Sequence, residues 1–299
     1  MAKIEFLTFP VSVIRRSVRD IDSSYRNPWD IFAELAQNSV DAIRKTQYKE
    51  GEKGLINIEV DAIAKTIVFE DNGCGIAKDD LPELLQLFSS GKDSDADTVG
   101  EKGVGLKFVY FSSTYFEIIS SDGSTCSKAI IKDARLWKNS TSDEMLMLDF
   151  EEASSIKRGT KITLKGVELD TDSDEEMASI FKISFDQFKY VLRSKTYLGD
   201  TTTIWGNNDN PITINLKFKD FNGLDHSESI SNTYVLPTEV LKQVDIIDID
   251  DFENWLKQAD RTDTDKRHKL QGKVLTMKGE YLHNSYRKIS YFAWYNIWI

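Results

Sequence analysis

Glu34, Asn38 and Asp41 recur at i, i+4 and i+7, so an acid, an amide and a second acid share one face of a helix. Ala42 follows directly. An asparagine oxygen is a hard-cation ligand suited to magnesium, and a glutamate one turn away can orient and deprotonate a water. Downstream, Asp71, Asn72, Gly73, Cys74, Gly75 and Ile76 follow an apolar run. An aspartate at a strand end can accept a hydrogen bond from an exocyclic amine such as that of adenine, while glycines let the backbone approach a flat base. Gly100, Gly103 and Gly105 lead through Val104 into Leu106 and Lys107. A glycine-rich turn entering a helix offers amides to phosphate oxygens, and Lys102, Lys107 and Lys92 are candidate counter-charges. The spacing fits neither a Walker A loop nor a dinucleotide fingerprint. Finally, Gly159 and Thr160 open an alternating strand, where a hydroxyl can reach a base through water. Taken singly, each segment has an ordinary explanation as a solvated helix face, a turn, a loop or a strand start.

The elements that must position these residues follow from periodicity. A helix is expected from Asp30, as its capping residue, to about Lys49, with Ile31, Leu35, Val40 and Ile43 as its apolar positions. Ile56, Ile58 and Val60 alternate as a half-buried strand, 66–70 reads as its neighbour, and 61–65 as the turn between them. Helices are expected over 79–88 and 106–112, separated by a loop at 89–103 rich in Ser, Gly and Asp. Strands are expected near 114–120, 127–132, 145–150 and 160–165. A helix from about 174 to 194 then connects to strands near 201–205, 212–218 and 272–278, and 239–259 reads as helical toward its end.

Composition bounds the answer. The chain has 299 residues and a formal net charge of -11, which argues against a general nucleic-acid or anionic-membrane surface. Acidic runs at 93–97, 170–176 and 245–253 read as solvated loops or helix starts. Two cysteines, Cys74 and Cys126, and three histidines form no zinc-type spacing, and Cys74 reads as a small packing residue. No apolar run reaches the roughly 20 residues of a membrane span, and the N-terminus lacks a signal-peptide pattern. A cytoplasmic location is expected. The aromatic stretch 289–299 reads either as a buried strand or as the point where a longer protein is cut, the cut being preferred.

In this order and with these gaps, the four segments resemble the nucleotide boxes of the GHKL superfamily of ATPases, which includes heat-shock-ninety-type chaperones, MutL, gyrase B-type topoisomerases and MORC and sacsin-like proteins. The resemblance covers roughly residues 25–165. It implies an α/β (α+β) Bergerat-type two-layer sandwich, a mixed and mostly antiparallel sheet with helices on one face. It divides the chain into an ATP-binding domain over 1–172 with a lid at about 77–102, a connecting helix over 173–198, and a smaller transducer-like α/β domain over 199–299. By the same resemblance ATP and magnesium are the cofactors. Asp71 holds the adenine amine, with Thr160 and Gly75 in support; Asn38 binds magnesium, Glu34 activates water, and Asp41 supports the base or ribose. Ala42, Gly73 and Ile76 complete the base side, and Gly100, Lys102, Gly103, Val104, Gly105, Leu106 and Lys107 hold phosphates. Lys273, Lys278 and Arg287 are candidate donors from the second domain. The intact Glu34, and the lack of histidine before it, favour hydrolysis over phosphotransfer to histidine.

The function expected is therefore magnesium-dependent ATP binding and slow hydrolysis, coupled to lid closure and homodimerisation through the N-terminal segment around 15–20, and acting on a protein client or effector. The alternatives are a nucleotide-sensing switch in a larger, antiviral-defence type of protein, or a DNA-handling ATPase, which the charge weakens.

Overall fold

The computed structural model describes residues 10–25, 27, 29–46, 48, 52–87, 104–153, 157–169, 179–200 and 211–235, together with the backbone of 246–249 and 274–277. Period-two burial organises its sheet. Ile56, Ile58 and Val60 of β1 (Leu55–Asp61) and Ile67 and Phe69 of β2 (Thr66–Asp71) turn to one face and are buried. The same face receives Phe116 and Ile118 of β3 (Tyr115–Ser121), Ala129 and Ile131 of β4 (Cys126–Lys132), and Ile162 and Leu164 of β6 (Gly159–Lys165). With β5 (Leu148–Glu152), β7 (Thr213–Lys219) and β8 (Asp225–Ser231) these strands form an eight-stranded sheet in the order β5-β4-β3-β6-β2-β1-β7-β8. Within this sheet, among the described residues, only the β1–β7 pairing is parallel. The expected α+β sandwich with a mixed, mostly antiparallel sheet is the observed architecture.

Helices cover the buried face. α2 (Asp30–Arg44) and α6 (Phe185–Lys195) meet it through an aromatic line: Phe32 packs 5.3 Å edge-on from Phe188, and Phe188 stacks 4.9 Å from Phe218 of β7. α2 ends at Arg44 rather than near Lys49, because the Thr46 hydroxyl takes the Ala42 carbonyl and closes the last turn. α3 (Asp80–Leu85) is shorter than expected and carries Pro82 in its first turn, where no intrahelical amide is needed. α4 (Gly105–Phe111) follows as expected. α6 begins at a capping box between Ser184 and Gln187, so its start falls well after Asp174. The expected strand near 145–150 is β5, displaced toward 152 because Leu148 pairs with Ile131.

Three elements were not anticipated. α1 (Val11–Ser24) carries Val11, Ile14, Val18 and Ile21 at helical spacing among many charges, α5 (Ala134–Asn139) is only six residues long, and β8 is largely polar and exposed. The division into compact units also differs from the expected boundary. Residues 1–198 and 210–232 form one unit, because β1 leaves an edge that β7 fills with Ile214, Leu216 and Phe218. Residues 199–209 and 233–299 form the other. In it, β9 (Ile246–Ile249) and β10 (Val274–Met277) pair in parallel, β10 within the strand expected near 272–278; the helix expected toward the end of 239–259 lies outside the described residues. The expected strand at 201–205 lies outside the described residues. Among the described residues no helix is long and apolar enough to cross a membrane.

α1 is strapped to α5 by polar contacts. The Lys138 ammonium donates to Asp22, with side chains only 2% and 9% exposed. Arg19 Nε donates to the Lys138 carbonyl at 3.2 Å, and the Arg15 guanidinium lies 4.8 Å over the Trp137 ring and donates to the Ser142 carbonyl. Removing one partner of a buried ion pair strands the other charge, whereas removing both spares that penalty. Asp22→Ala is therefore expected to destabilise the fold by about 3 kcal/mol or more. In chemical denaturation, Asp22→Leu combined with Lys138→Met should cost less than half as much; equal losses would contradict the buried pairing.

Candidate functional site

The site is built where α2 crosses the ends of β2 and β6. Asp71 is the last residue of β2, and Thr160 stands opposite it in register. Its carboxylate is buried and accepts the Gly73 amide at 2.9 Å, the Ser39 hydroxyl of α2 and the Thr160 amide. Burial pushes the carboxyl up to about 6 from the ordinary 3.8, and these hydrogen bonds oppose the rise without cancelling it. Gly159 has φ +141, and a Cβ there would lie 2.0 Å from the Asp71 carbonyl oxygen. Only glycine allows β6 to begin this close to the carboxylate's own backbone.

The remaining residues of the second and fourth segments form a connected chain. The Thr160 and Ser120 hydroxyls are 2.8 Å apart, and Ser120 Oγ accepts the Ile76 amide at 2.9 Å. The Gly75 backbone passes so close to the Ser121 carbonyl that a Cβ would lie 1.9 Å from it. Gly73 packs on Ala42, and the Cys74 amide donates to the Ala42 carbonyl at 3.1 Å. The Tyr48 hydroxyl donates toward the Asn72 side chain at 3.0 Å, with Asn72 also receiving the Leu55 amide. Asp41 is buried one turn before the end of α2, and Asn38 is half-buried.

Two turns earlier on α2 lies Glu34. The Tyr25 hydroxyl donates to its Oε1 at 2.9 Å. Its Oε2 sits against the first residue of α4, where a Cβ on Gly105 would lie 1.7 Å from that oxygen. The third segment thus meets the first through the glutamate carboxylate itself. Val104 precedes α4 and is half-buried, while Leu106 is part of the core. Lys107 departs from expectation. It is fully buried, its ammonium donates to the Leu84 carbonyl of α3 at 2.7 Å, and burial lowers its pKa to about 8. It links α3 to α4.

Gly100, Lys102 and Gly103, with Lys92 and lid residues 88–102, lie outside the described residues, as do Lys273, Lys278 and Arg287. Sequence reasoning missed Ser39, Ser120, Tyr25, Tyr48 and Tyr197, the last lying in the field of Asp41 and Glu34. Ser39 adjoins Asn38 inside the first segment, and Ser120 interrupts an apolar alternation; those were the available signals. Among the described residues no cluster of His, Cys, Asp or Glu could hold a metal. An asparagine oxygen with ordered waters and phosphates is nevertheless the donor set magnesium prefers, so Asn38 on this face fits that ion.

Comparison with known proteins agrees with this geometry. Residues 25–162 match the family model for histidine kinase-, DNA gyrase B-, and HSP90-like ATPases. Similar proteins include the chaperone protein HtpG of Campylobacter jejuni, 28% identical over 191 residues, which is 57% of this chain and 29% of that protein. HtpG of Helicobacter pylori is 29% identical with the same coverage. HtpG of Orientia tsutsugamushi is 29% identical over 165 residues, 48% of this chain and 25% of that protein. The chain spans less than a third of the length of these relatives. Residues 25–162 are thus similar to the GHKL type of ATPase domain, over the same stretch that carries the four segments.

The raised Asp71 carboxyl has a consequence for stability. A pKa higher in the folded than in the unfolded state means the fold binds the proton more tightly. That contribution is full below about pH 4 and is lost as pH rises through about 6. Asp71→Asn removes the titration. The stability of the variant relative to wild type, from urea unfolding, should therefore rise by about 2 kcal/mol between pH 4 and pH 7. A difference that stays flat over this range would contradict the burial of the charge.

Proposed function

We propose that this chain binds magnesium-ATP and hydrolyses it slowly, using closure of a lid over about 77–102 and self-association to drive a conformational change on a protein client. The observation that carries this reading is the Glu34 carboxylate held against Gly105 at the entrance to α4. A general base is useful to a hydrolase only beside the group it attacks, and the glycine-rich turn before α4 is where a terminal phosphate would lie.

In this reading the Asp71 carboxylate accepts a hydrogen bond from the adenine amine, with Ser39 and Thr160 holding it in place. Gly73, Gly75 and Ile76 form the wall along the base, and Ala42 backs Gly73. Asp41 supports the base or ribose side. Asn38 would hold magnesium, which when bound neutralises phosphate charge. Amides around Val104, Gly105 and Leu106, with Gly100, Lys102 and Gly103, receive the phosphates. Glu34 takes a proton from water as the water oxygen bonds to the terminal phosphorus. The bond from that phosphorus to the bridging oxygen breaks, and ADP leaves with its electron pair. The match to proteins named chaperones supports a client protein as the target.

Removing a general base typically slows a reaction by about 100-fold or more. Glu34→Ala is expected to keep magnesium-ATP affinity within about threefold by calorimetry while turnover falls by that factor. Wild-type turnover no faster than that of the variant would overturn hydrolysis and leave a nucleotide-binding switch.

A further inference from the structure

We infer that Tyr25 is a positioning residue for hydrolysis, orienting Glu34 by a hydrogen bond from its phenol to Oε1. The inference rests on the reading of Glu34 as the base. Three features of the geometry support it.

First, the phenol makes a well-formed contact to the carboxylate, at 2.9 Å. A glutamate side chain has three rotatable bonds, and a base that acts on one water must be held in one of its orientations. The two oxygens meet different surroundings. Oε1 receives the Tyr25 hydroxyl, and Oε2 faces the bare Cα of Gly105. The hydrogen bond thereby favours the orientation in which Oε2 is the oxygen turned to Gly105.

Second, the donor is itself fixed. The Tyr25 ring stacks on Phe108 with centroids 3.9 Å apart and planes 10° from parallel. Phe108 lies three residues after Gly105, so the same face of α4 supports the tyrosine ring and borders the glutamate. Burial and the Glu34 charge raise the phenol pKa above its ordinary value, so the hydroxyl remains a donor throughout the working pH range.

Third, the backbone carrying the tyrosine is anchored. Tyr25 caps the C-terminus of α1, its amide donating to the Asp22 carbonyl. The Asp22 side chain is the one held by Lys138 of α5. The strap that seats α1 therefore ends, three residues on, at the hydroxyl that orients the base.

The test uses the full chain, magnesium-ATP and a single-turnover phosphate-release assay on wild type, Tyr25→Phe, Glu34→Ala and the double variant. Phenylalanine retains the stack on Phe108 and removes only the donor. Tyr25→Phe is expected to lower the hydrolysis rate by about tenfold or more, with ATP affinity within about twofold of wild type and the melting temperature within about 2 °C. On the Glu34→Ala background the same substitution should change the residual rate by less than about twofold, because the partner it orients is gone. A Tyr25→Phe rate within twofold of wild type, or an equal loss on both backgrounds, overturns the inference while leaving Glu34 as the base. Should Glu34→Ala hydrolyse as fast as wild type, the hydrolytic reading fails and this inference with it.

Discussion

Burying a carboxylate is costly unless the surrounding structure supplies donors, and Asp71 is buried at the point where the parts of the site meet. Its donors come from three places: the Gly73 amide of its own turn, Ser39 of α2 and Thr160 of β6. Satisfying one acid thus fixes the helix against the sheet and the register of β6 against β2. The close passage of Gly159 over the Asp71 carbonyl and of Gly73 over Ala42 follows from the same requirement. The carboxyl remains raised to about 6 even so, because burial outweighs these hydrogen bonds. An acceptor in that state favours a ligand that brings a further donor, as an exocyclic amine does.

The opposite end of the site is organised by a second acid with a different task. Glu34 is only half-buried, and its carboxylate lies between a phenol and a glycine. One helix, α2, carries both Glu34 and the Ser39 that serves Asp71, so the surroundings of the two acids are tied together through it. α4 and α1 approach Glu34 from outside that helix. Their seating rests on aromatic stacking and on the charged strap to α5, not on the main-chain ladder of the sheet.

Much of this was legible in the sequence because the informative signals are local. The i, i+4, i+7 spacing of Glu34, Asn38 and Asp41 identifies one helical face without any tertiary knowledge, and the alternation at Ile56, Ile58 and Val60 identifies β1 and its buried side. What escaped depends on contacts distant in sequence. Lys107 reads as a phosphate ligand beside a glycine turn, yet its direction is set by a carbonyl of α3. Tyr25 is an unremarkable aromatic until Phe108 and Glu34 are brought to it. β7 was assigned to a separate domain because nothing local reveals that β1 needs a parallel partner from residue 213 onward. β8 escaped because it is nearly all polar, whereas the apolar stripe of α1 at Val11, Ile14, Val18 and Ile21 was legible and is only diluted by the charges around it.

The central claim is that Asp71 and Glu34 are the two poles of one nucleotide pocket. A crystal structure of the protein with magnesium and a non-hydrolysable ATP analogue tests it most directly. The account predicts the adenine amino nitrogen within about 3.2 Å of an Asp71 carboxylate oxygen, and the terminal phosphate close enough to Glu34 for one water to bridge them. An analogue bound with its base away from Asp71, or with its phosphates pointing away from Glu34, would contradict it.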